Sequence, residues 1–249
     1  MVLLKTSKEV DCIKKSCSIV AYVLRNLYAN IEPGISTIDL NNFAEELCLS
    51  KGGLPAFKGY KGFPFSICSS VNYEVVHGFP SNRILKVGDI ISIDFGAIYE
   101  GWYGDAAFTK AVGKISSAAE KIIKINRTCL YEGIKKAVCN NRLGDIGNAI
   151  QNTAANNRFN IVPKFVGHGI GRKLHEEPQV LNYGDKGTGL LLKHGMVIAI
   201  EPILVEGSNE TYLLPNSWTA ITKDMRISAH WEHTIAILDS GTEILTKWD

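Results

Sequence analysis

The sequence predicts an α+β fold of two related halves, each two helices followed by a β-hairpin, closing around one central site. Three observations predict it. Two runs resemble each other: Leu85-Lys86-Val87-Gly88-Asp89-Ile90-Ile91-Ser92-Ile93-Asp94 and Leu192-Lys193-His194-Gly195-Met196-Val197-Ile198-Ala199-Ile200-Glu201 each read as a leader, a glycine turn and a strand ending in an acid. Each run is preceded by two helical segments with their own start signals. The offset between the halves is steady, 106 residues from Asp39 to Asp145 and 107 from Asp94 to Glu201. The halves are expected at about 1–112 and 113–249 of a single domain spanning 1–249.

Thr6-Ser7-Lys8-Glu9 is a capping-box sequence, and it opens a helix with Val10, Ile13, Cys17, Val20 and Leu24 on one face. Ser36-Thr37-Ile38-Asp39 leads the second helix. Ser117-Ala118-Ala119-Glu120 opens the third, with Ile122, Ile125 and Cys129 on its apolar face, and Leu143-Gly144-Asp145-Ile146 leads the fourth. Ile98-Tyr99-Glu100-Gly101 reads as a turn. A hairpin centred there sets Asp105 directly opposite Asp94, their Cβ atoms about 4.5–5.5 Å apart. In the second half a longer hairpin about Asn216-Ser217, next to Pro215, pairs Glu201 with Glu232.

Carboxylates at the ends of buried strands need a partner, because an unpaired buried charge is costly and the group otherwise keeps its proton. Here like charges face each other twice. The segment Phe165–Tyr183 supplies histidines to the same argument: Gly167, Gly169 and Gly171 make poor strand formers unless something approaches closely, and a turn at Gly171-Arg172 brings His168 and His175 face to face. Asp94, Asp105, His168, Glu201 and Glu232 offer enough oxygen and nitrogen donors for two divalent ions, of the Mn, Fe, Co or Zn kind rather than a thiolate-type structural zinc. Two alternatives compete. A pair of surface histidines explains His168 and His175 alone, and an acid pair sharing a proton leaves the histidines and the second acid pair without a role.

Gly167-His168-Gly169-Ile170-Gly171-Arg172-Lys173-Leu174-His175-Glu176-Glu177-Pro178-Gln179-Val180, with Ile93-Asp94-Phe95-Gly96, Gly104-Asp105 and Ile200-Glu201-Pro202, resembles the methionine aminopeptidases over essentially the whole chain, specifically their short bacterial-type type I form. The resemblance implies the pseudo-twofold "pita-bread" fold, an antiparallel sheet backed by helices, with metals in the cleft. It implies Asp94, Asp105, His168, Glu201 and Glu232 as metal ligands, and His77 and His175 as the histidines that contact substrate. Around the methionine side chain it implies Phe57, Tyr60, Phe63, Cys68, His77, Leu174 and Trp218, a lining that suits a flexible thioether.

Three positions depart from the family pattern. Phe57 replaces a pocket cysteine, Val76 replaces the usual Cys before the first histidine, and Ala106 stands where a Thr follows the second Asp. The last change removes a hydroxyl that would orient Asp105. The implied activity is removal of an initiator methionine when the next residue is small, with Glu201 taking a proton from the attacking water, His175 stabilising the carbonyl oxygen and His77 aligning the scissile amide. Prolidase and aminopeptidase P enzymes share the ligand order but carry a large N-terminal domain, for which a first helix starting by Lys8 leaves no room. A non-catalytic relative would have eroded ligands, and the type II enzymes an inserted subdomain.

Composition agrees with a soluble globular enzyme: 45% apolar and 21% charged residues. A net charge of +2, from 27 basic and 25 acidic residues, speaks against a strongly basic, sequence-specific nucleic-acid binder, although Lys58, Lys61 and Lys193 can form a local patch. No run approaches a membrane span, and no targeting segment directs the chain out of the cytoplasm. Six cysteines include no Cys-x-x-Cys pair and are expected as free thiols. The expected partners are N-terminal Met peptides and nascent chains, with transient ribosome contact, for a monomer.

Overall fold

The computed structural model describes residues 2–248. Helix α1 (Ser7–Asn30) starts where the sequence says: the Thr6 hydroxyl accepts from Glu9 N, and Glu9 returns a carboxylate oxygen to Thr6 N at 2.9 Å. Reciprocal capping of this kind satisfies two donors that the first turn leaves open. Val10, Ile13, Cys17, Val20 and Leu24 are all buried. Helix α2 (Thr37–Ser50) is closed by the same device between Ser36 and Asp39. Helix α3 (Ser117–Ile134) begins one residue earlier than the capping-box reading had it. Ser116 is the cap, accepting from Ala119 N, so Glu120 lies one position too far along to return the bond. Ile122 and Cys129 are buried and Ile125 is half-buried. Helix α4 (Leu143–Asn156) is held by Asp145, which accepts from Arg142 N at 2.7 Å.

The strands are β1 (Leu54–Pro55), β2 (Cys68–Val71), β3 (Glu74–Val76), β4 (Ile90–Tyr99), β5 (Trp102–Ala111), β6 (Asn160–Ile161), β7 (Gly167–Gly169), β8 (Glu176–Val180), β9 (Val197–Ile200), β10 (Ile203–Val205), β11 (Thr211–Leu213), β12 (Ala220–Thr222), β13 (Ser228–His230), β14 (Glu232–Leu238) and β15 (Gly241–Ile244). The main sheet runs β1-β4-β5-β14-β9-β7-β8, with β2 added on β4 and β15 on β14, and its pairings are antiparallel. Helix α1 lies against β4 and β5.

Alternation along β4 and β5 decides what faces the helices. Ile91, Ile93 and Phe95, with Ala106 and Phe108 opposite, enter the apolar core beside Leu24 and Leu27. Asp94 and Asp105 therefore point to the other face.

The β4–β5 register differs from the one expected. Tyr99 pairs Trp102, so Glu100 and Gly101 form the two-residue loop, Asp94 lies opposite Ala107 and Asp105 opposite Gly96. Both loop residues have positive φ, 51° and 76°, as a two-residue hairpin turn of this hand requires. Glycine belongs inside that turn, which moves the centre by one residue and the pairing by two. An even shift preserves the face, so the two aspartates remain neighbours, but diagonally.

The second expected hairpin keeps its register throughout. Leu213 pairs Ala220, Val205 pairs Ser228, Ile203 pairs His230 and Ile200 pairs His233, all consistent with a centre at Asn216-Ser217. Its tip is fixed by Asn216, whose Oδ1 accepts from the backbone N–H groups of Trp218 and Thr219 at 3.0 Å each. Glu201, one residue beyond β9, continues this register opposite Glu232.

Candidate active site

The glycine-rich segment passes close to backbone. A Cβ at Gly167 would stand 2.3 Å from Ala199 O, and one at Gly169 2.2 Å from Glu177 O, so a side chain at either position would push the strands apart. The β7–β8 register brings His168 opposite Gln179 rather than His175, with a bulge before Gly169. That bulge re-aims the turn, and the His168 and His175 rings still meet, with centroids 4.4 Å apart.

His168 is buried, and its Nδ1 is 2.9 Å from Gly169 O. A carbonyl only accepts, so Nδ1 carries the proton and Nε2 presents a lone pair. Nε2 stands 3.6 Å from Glu201 Oε1 and 3.9 Å from Asp105 Oδ2. Burial, with the neighbouring His175 second, pushes the His168 pKa down to about 3, so the ring is neutral. Donor atoms of Asp105, His168 and Glu232 all lie within 4.8 Å of one another.

The carboxylates are short of partners. Asp94 Oδ1, Asp105 Oδ1 and Glu232 Oε1 are buried without a hydrogen bond. Burial pushes the Asp94 pKa up to about 7 and raises those of Asp105, Glu201 and Glu232 well above the usual carboxylate range, with their mutual repulsion adding to the effect for the last three. A cluster so short of positive charge fits a divalent cation: the donors are hard oxygens with one neutral imidazole. The backbone of Asp105 is pinned by Thr234, whose hydroxyl donates to Asp105 O at 2.7 Å and accepts from Asp105 N at 3.2 Å. Ala106 has no hydroxyl to offer the Asp105 side chain, which it meets through its backbone N–H alone.

These residues line one cavity of about 290 Å³. Asp94, Asp105, His168, Glu201 and Glu232 form its floor, and Phe57, Tyr60, Lys61, Phe63, Cys68, His77, Leu174, His175 and Trp218 complete it. Every site residue expected from the sequence is thus brought to one place. A larger groove, about 1030 Å³ among Tyr28, Lys110, Arg127, Trp231 and Trp248, contains none of them. The Cys68 thiol is pushed far up by burial and then by Asp94, which keeps it a neutral wall residue rather than a thiolate ligand.

His77 sits on a backbone of φ 58°, in the left-handed region that few non-glycine residues occupy. Its carbonyl accepts from Thr219 Oγ1 at 3.1 Å, which ties it to the tip of the long ribbon, and its ring packs edge-on against Phe165 and Trp218. Burial, then the neighbouring His175, pushes its pKa down to about 4.

Sequence reasoning missed several contacts. Tyr60, expected only as a pocket wall, places its hydroxyl 2.8 Å from His175 Nδ1. Lys61, not expected there from the sequence, also lines the cavity. Lys5 and Glu176 form a buried ion pair at 2.5 Å, and Glu176 also accepts from the backbone N–H groups of Arg172 and Lys173, closing the turn between the two histidines. His230, buried on β13, has Nε2 3.9 Å from a carboxylate oxygen of both Glu201 and Glu232. The one available signal for it was alternation, which puts His230 on the same face as Glu232.

Residues 11–239 match the model of metallopeptidase family M24. The chain is 48% identical over 246 residues to the methionine aminopeptidase of Clostridium perfringens, covering 99% of each. It superposes on the crystal structure of a methionine aminopeptidase from Thermotoga maritima with a TM-score of 0.98 at 43% identity, covering 99% of this chain and 100% of that one. The prolidase of Pyrococcus furiosus shares the fold with a TM-score of 0.79 at 22% identity, and the match covers 99% of this chain but 66% of the prolidase. A curled antiparallel sheet backed by helices, a carboxylate-rich cavity and close similarity along the whole length lead to one conclusion: the chain belongs to metallopeptidase family M24, with the "pita-bread" fold, and within it to the methionine aminopeptidases of the short bacterial type.

Proposed function

We propose that the chain removes methionine from the N-terminus of peptides whose second residue is small, with two divalent ions held by Asp94, Asp105, His168, Glu201 and Glu232. The observation that carries this reading is the set of buried, partner-poor carboxylates meeting the lone pair of His168 at the floor of a cavity whose walls are aromatic. Divalent ions bound there supply Lewis acidity toward water and the peptide carbonyl. Glu201 takes the proton of the attacking water. In the His175 tautomer protonated at Nε2, Nδ1 accepts from the Tyr60 hydroxyl 2.8 Å away and the Nε2–H is left to donate to the carbonyl oxygen as negative charge develops. His77, held by Thr219, aligns the scissile amide. Phe57, Phe63, Cys68, Leu174 and Trp218 exclude water and pack the methionine thioether.

The domain reads as two halves, about 1–112 and 113–249. The support is an offset that recurs in the elements themselves: α2 and α4 are both 14 residues long and begin 106 residues apart. Newly made chains are the substrates this chemistry suits, which favours action in the cytoplasm as a monomer in transient contact with ribosomes. Among the described residues no helix is long and apolar enough to cross a membrane.

Release of free methionine from Met-Ala-Ser and Met-Leu-Ser peptides, with and without added Mn or Co, tests the reading. Metal-dependent release from the first and little from the second is expected. Equal rates on both peptides would remove the small-residue rule, and cleavage of Xaa-Pro peptides lacking Met would favour a prolidase-like activity.

A further inference from the structure

His230 holds an unusual position for a residue with no part in the mechanism above. Its side chain is 3% exposed and its Nε2 has no hydrogen-bond partner. A buried polar nitrogen left unsatisfied is costly and rare, and calls for a reason. The backbone of His230 is firmly placed: its N–H donates to Thr109 Oγ1 at 2.8 Å, its carbonyl accepts from the same hydroxyl at 2.9 Å, and β13 pairs β10. The backbone is therefore fixed, and the buried imidazole has its Nε2 toward the acid cluster, 3.9 Å from Glu201 Oε2 and 3.9 Å from Glu232 Oε2.

Glu201 lies between two imidazoles. Its Oε1 faces His168 Nε2 at 3.6 Å and its Oε2 faces His230 Nε2. Two roles satisfy the free nitrogen of His230: ligating an ion itself, or donating a proton to the outer oxygens of the glutamates. The second is favoured. Asp94, Asp105, His168, Glu201 and Glu232 already supply oxygen and imidazole donors enough for two ions, and the groups that His230 Nε2 faces are two of those ligands rather than an open position among them.

We propose that His230 is a positioning residue for the metal centre: when the glutamates hold an ion, its Nε2–H closes to donate to the Oε2 of Glu201 or of Glu232, which fixes the oxygen that glutamate turns to the ion. The proposal rests on the reading that these glutamates hold divalent metal. Groups that hydrogen-bond to a ligating side chain orient it, and their loss costs about 10–100-fold in metal affinity.

Calorimetric titration of the metal-stripped protein with Mn²⁺ separates the possibilities. His230→Leu removes the donor. His230→Asn ends its amide near the Nδ1 position, too short to reach, and carries the comparison if the Leu variant does not fold. His230→Gln places an amide N–H near the Nε2 position but is a poor ligand. Weakening of about 10–100-fold in Leu and Asn, with Gln close to the parent, is expected. Gln weakened as much as Asn would make His230 a ligand and overturn the proposal, and parent-like affinity in Leu and Asn would make it a core residue and overturn it too. His168→Ala is the control for the underlying reading: if it binds Mn²⁺ as the parent does, the metal site itself is misassigned, whatever the His230 variants show.

Discussion

The two acid pairs reach the same floor by opposite routes. Asp94 and Asp105 sit on a tight hairpin whose loop is two residues long, and their relation is diagonal. Glu201 and Glu232 are joined by a ribbon that leaves the main sheet, turns at Asn216-Ser217 and returns through β12 and β13, yet they end directly opposite each other. The short connection is the one where sequence reasoning slipped by two residues, and the long one kept its register over its whole length. In a tight hairpin a single turn residue decides every pairing, whereas a long ribbon is also held by alternation on each arm. The diagonal relation still lets the aspartate side chains meet, with Asp94 and Asp105 in hydrogen-bonding reach of each other.

The largest expected effect tests whether both pairs serve one metal centre. Chelation should abolish methionine release, and added Mn or Co should restore it. Asp105→Asn and Glu232→Gln, one from each route, should each remove activity and weaken Mn²⁺ binding in calorimetry. If one variant lost metal and the other kept full affinity and turnover, the two routes would not converge on a shared site.

Next in size is the contrast between the histidines that lie over the floor. His168→Ala should weaken metal binding, with partial recovery of activity in excess Mn or Co. His175→Ala should keep metal affinity and lose about 10²–10³ in kcat, which metal cannot restore, because a donor acting in the transition state is gone. Metal titration beside steady-state kinetics on Met-Ala-Ser checks this. Loss of metal by His175→Ala and its retention by His168→Ala would reverse the assignment.

Much of this was readable in the sequence because the signals are local or periodic. Thr6 and Ser36 cap where expected, and alternation in β4 and β5 puts the acids on the face away from α1 whatever the register. The misread points are competitions between adjacent residues: Ser116 against Ser117 as cap, and Tyr99-Glu100 against Glu100-Gly101 as turn centre. The contacts that were missed have no local signature. Tyr60 and His175 are 115 positions apart, Lys5 and Glu176 are 171 apart, and only packing brings them together.

A smaller effect concerns pH. In the metal-free protein Asp94 holds its proton to about 7, against 3.8 for an ordinary aspartate, and Asp105, Glu201 and Glu232 are shifted the same way. Below about pH 6.5 the depressed His77, His168, His175 and His230 act the other way, because the unfolded chain protonates them first. Above that pH the histidines are neutral in both states and the carboxylates alone remain, so the folded state binds more protons and stability falls as pH rises through about 7. The metal-free Tm should drop between about pH 6.5 and 8 by scanning calorimetry, on the order of a few degrees, while the metal-loaded protein stays nearly flat. A metal-free Tm that rises between about pH 6.5 and 8 would mean the carboxylates are already charged and neutralised by some other group.

The smallest effects separate the two turns. Gly101 has φ 76°, and its Cβ position would meet only the flexible end of Arg172 at 3.1 Å, so Gly101→Ala costs mainly the left-handed backbone, about 1–2 kcal/mol. Asn216→Ala removes an oxygen that accepts two backbone N–H groups and an amide that donates to Thr219 Oγ1 at 2.8 Å, about 0.5–1.5 kcal/mol for each bond where water does not replace it. Denaturant unfolding should therefore show similar losses. Kinetics should not: Thr219 holds the His77 carbonyl and Trp218 lines the cavity, so Asn216→Ala should raise KM for Met-Ala-Ser, while Gly101→Ala, whose residue does not line the cavity, should leave KM unchanged. A KM shift in Gly101→Ala as large as in Asn216→Ala would show that the short hairpin also shapes the pocket, and the division of labour between the two routes would be lost.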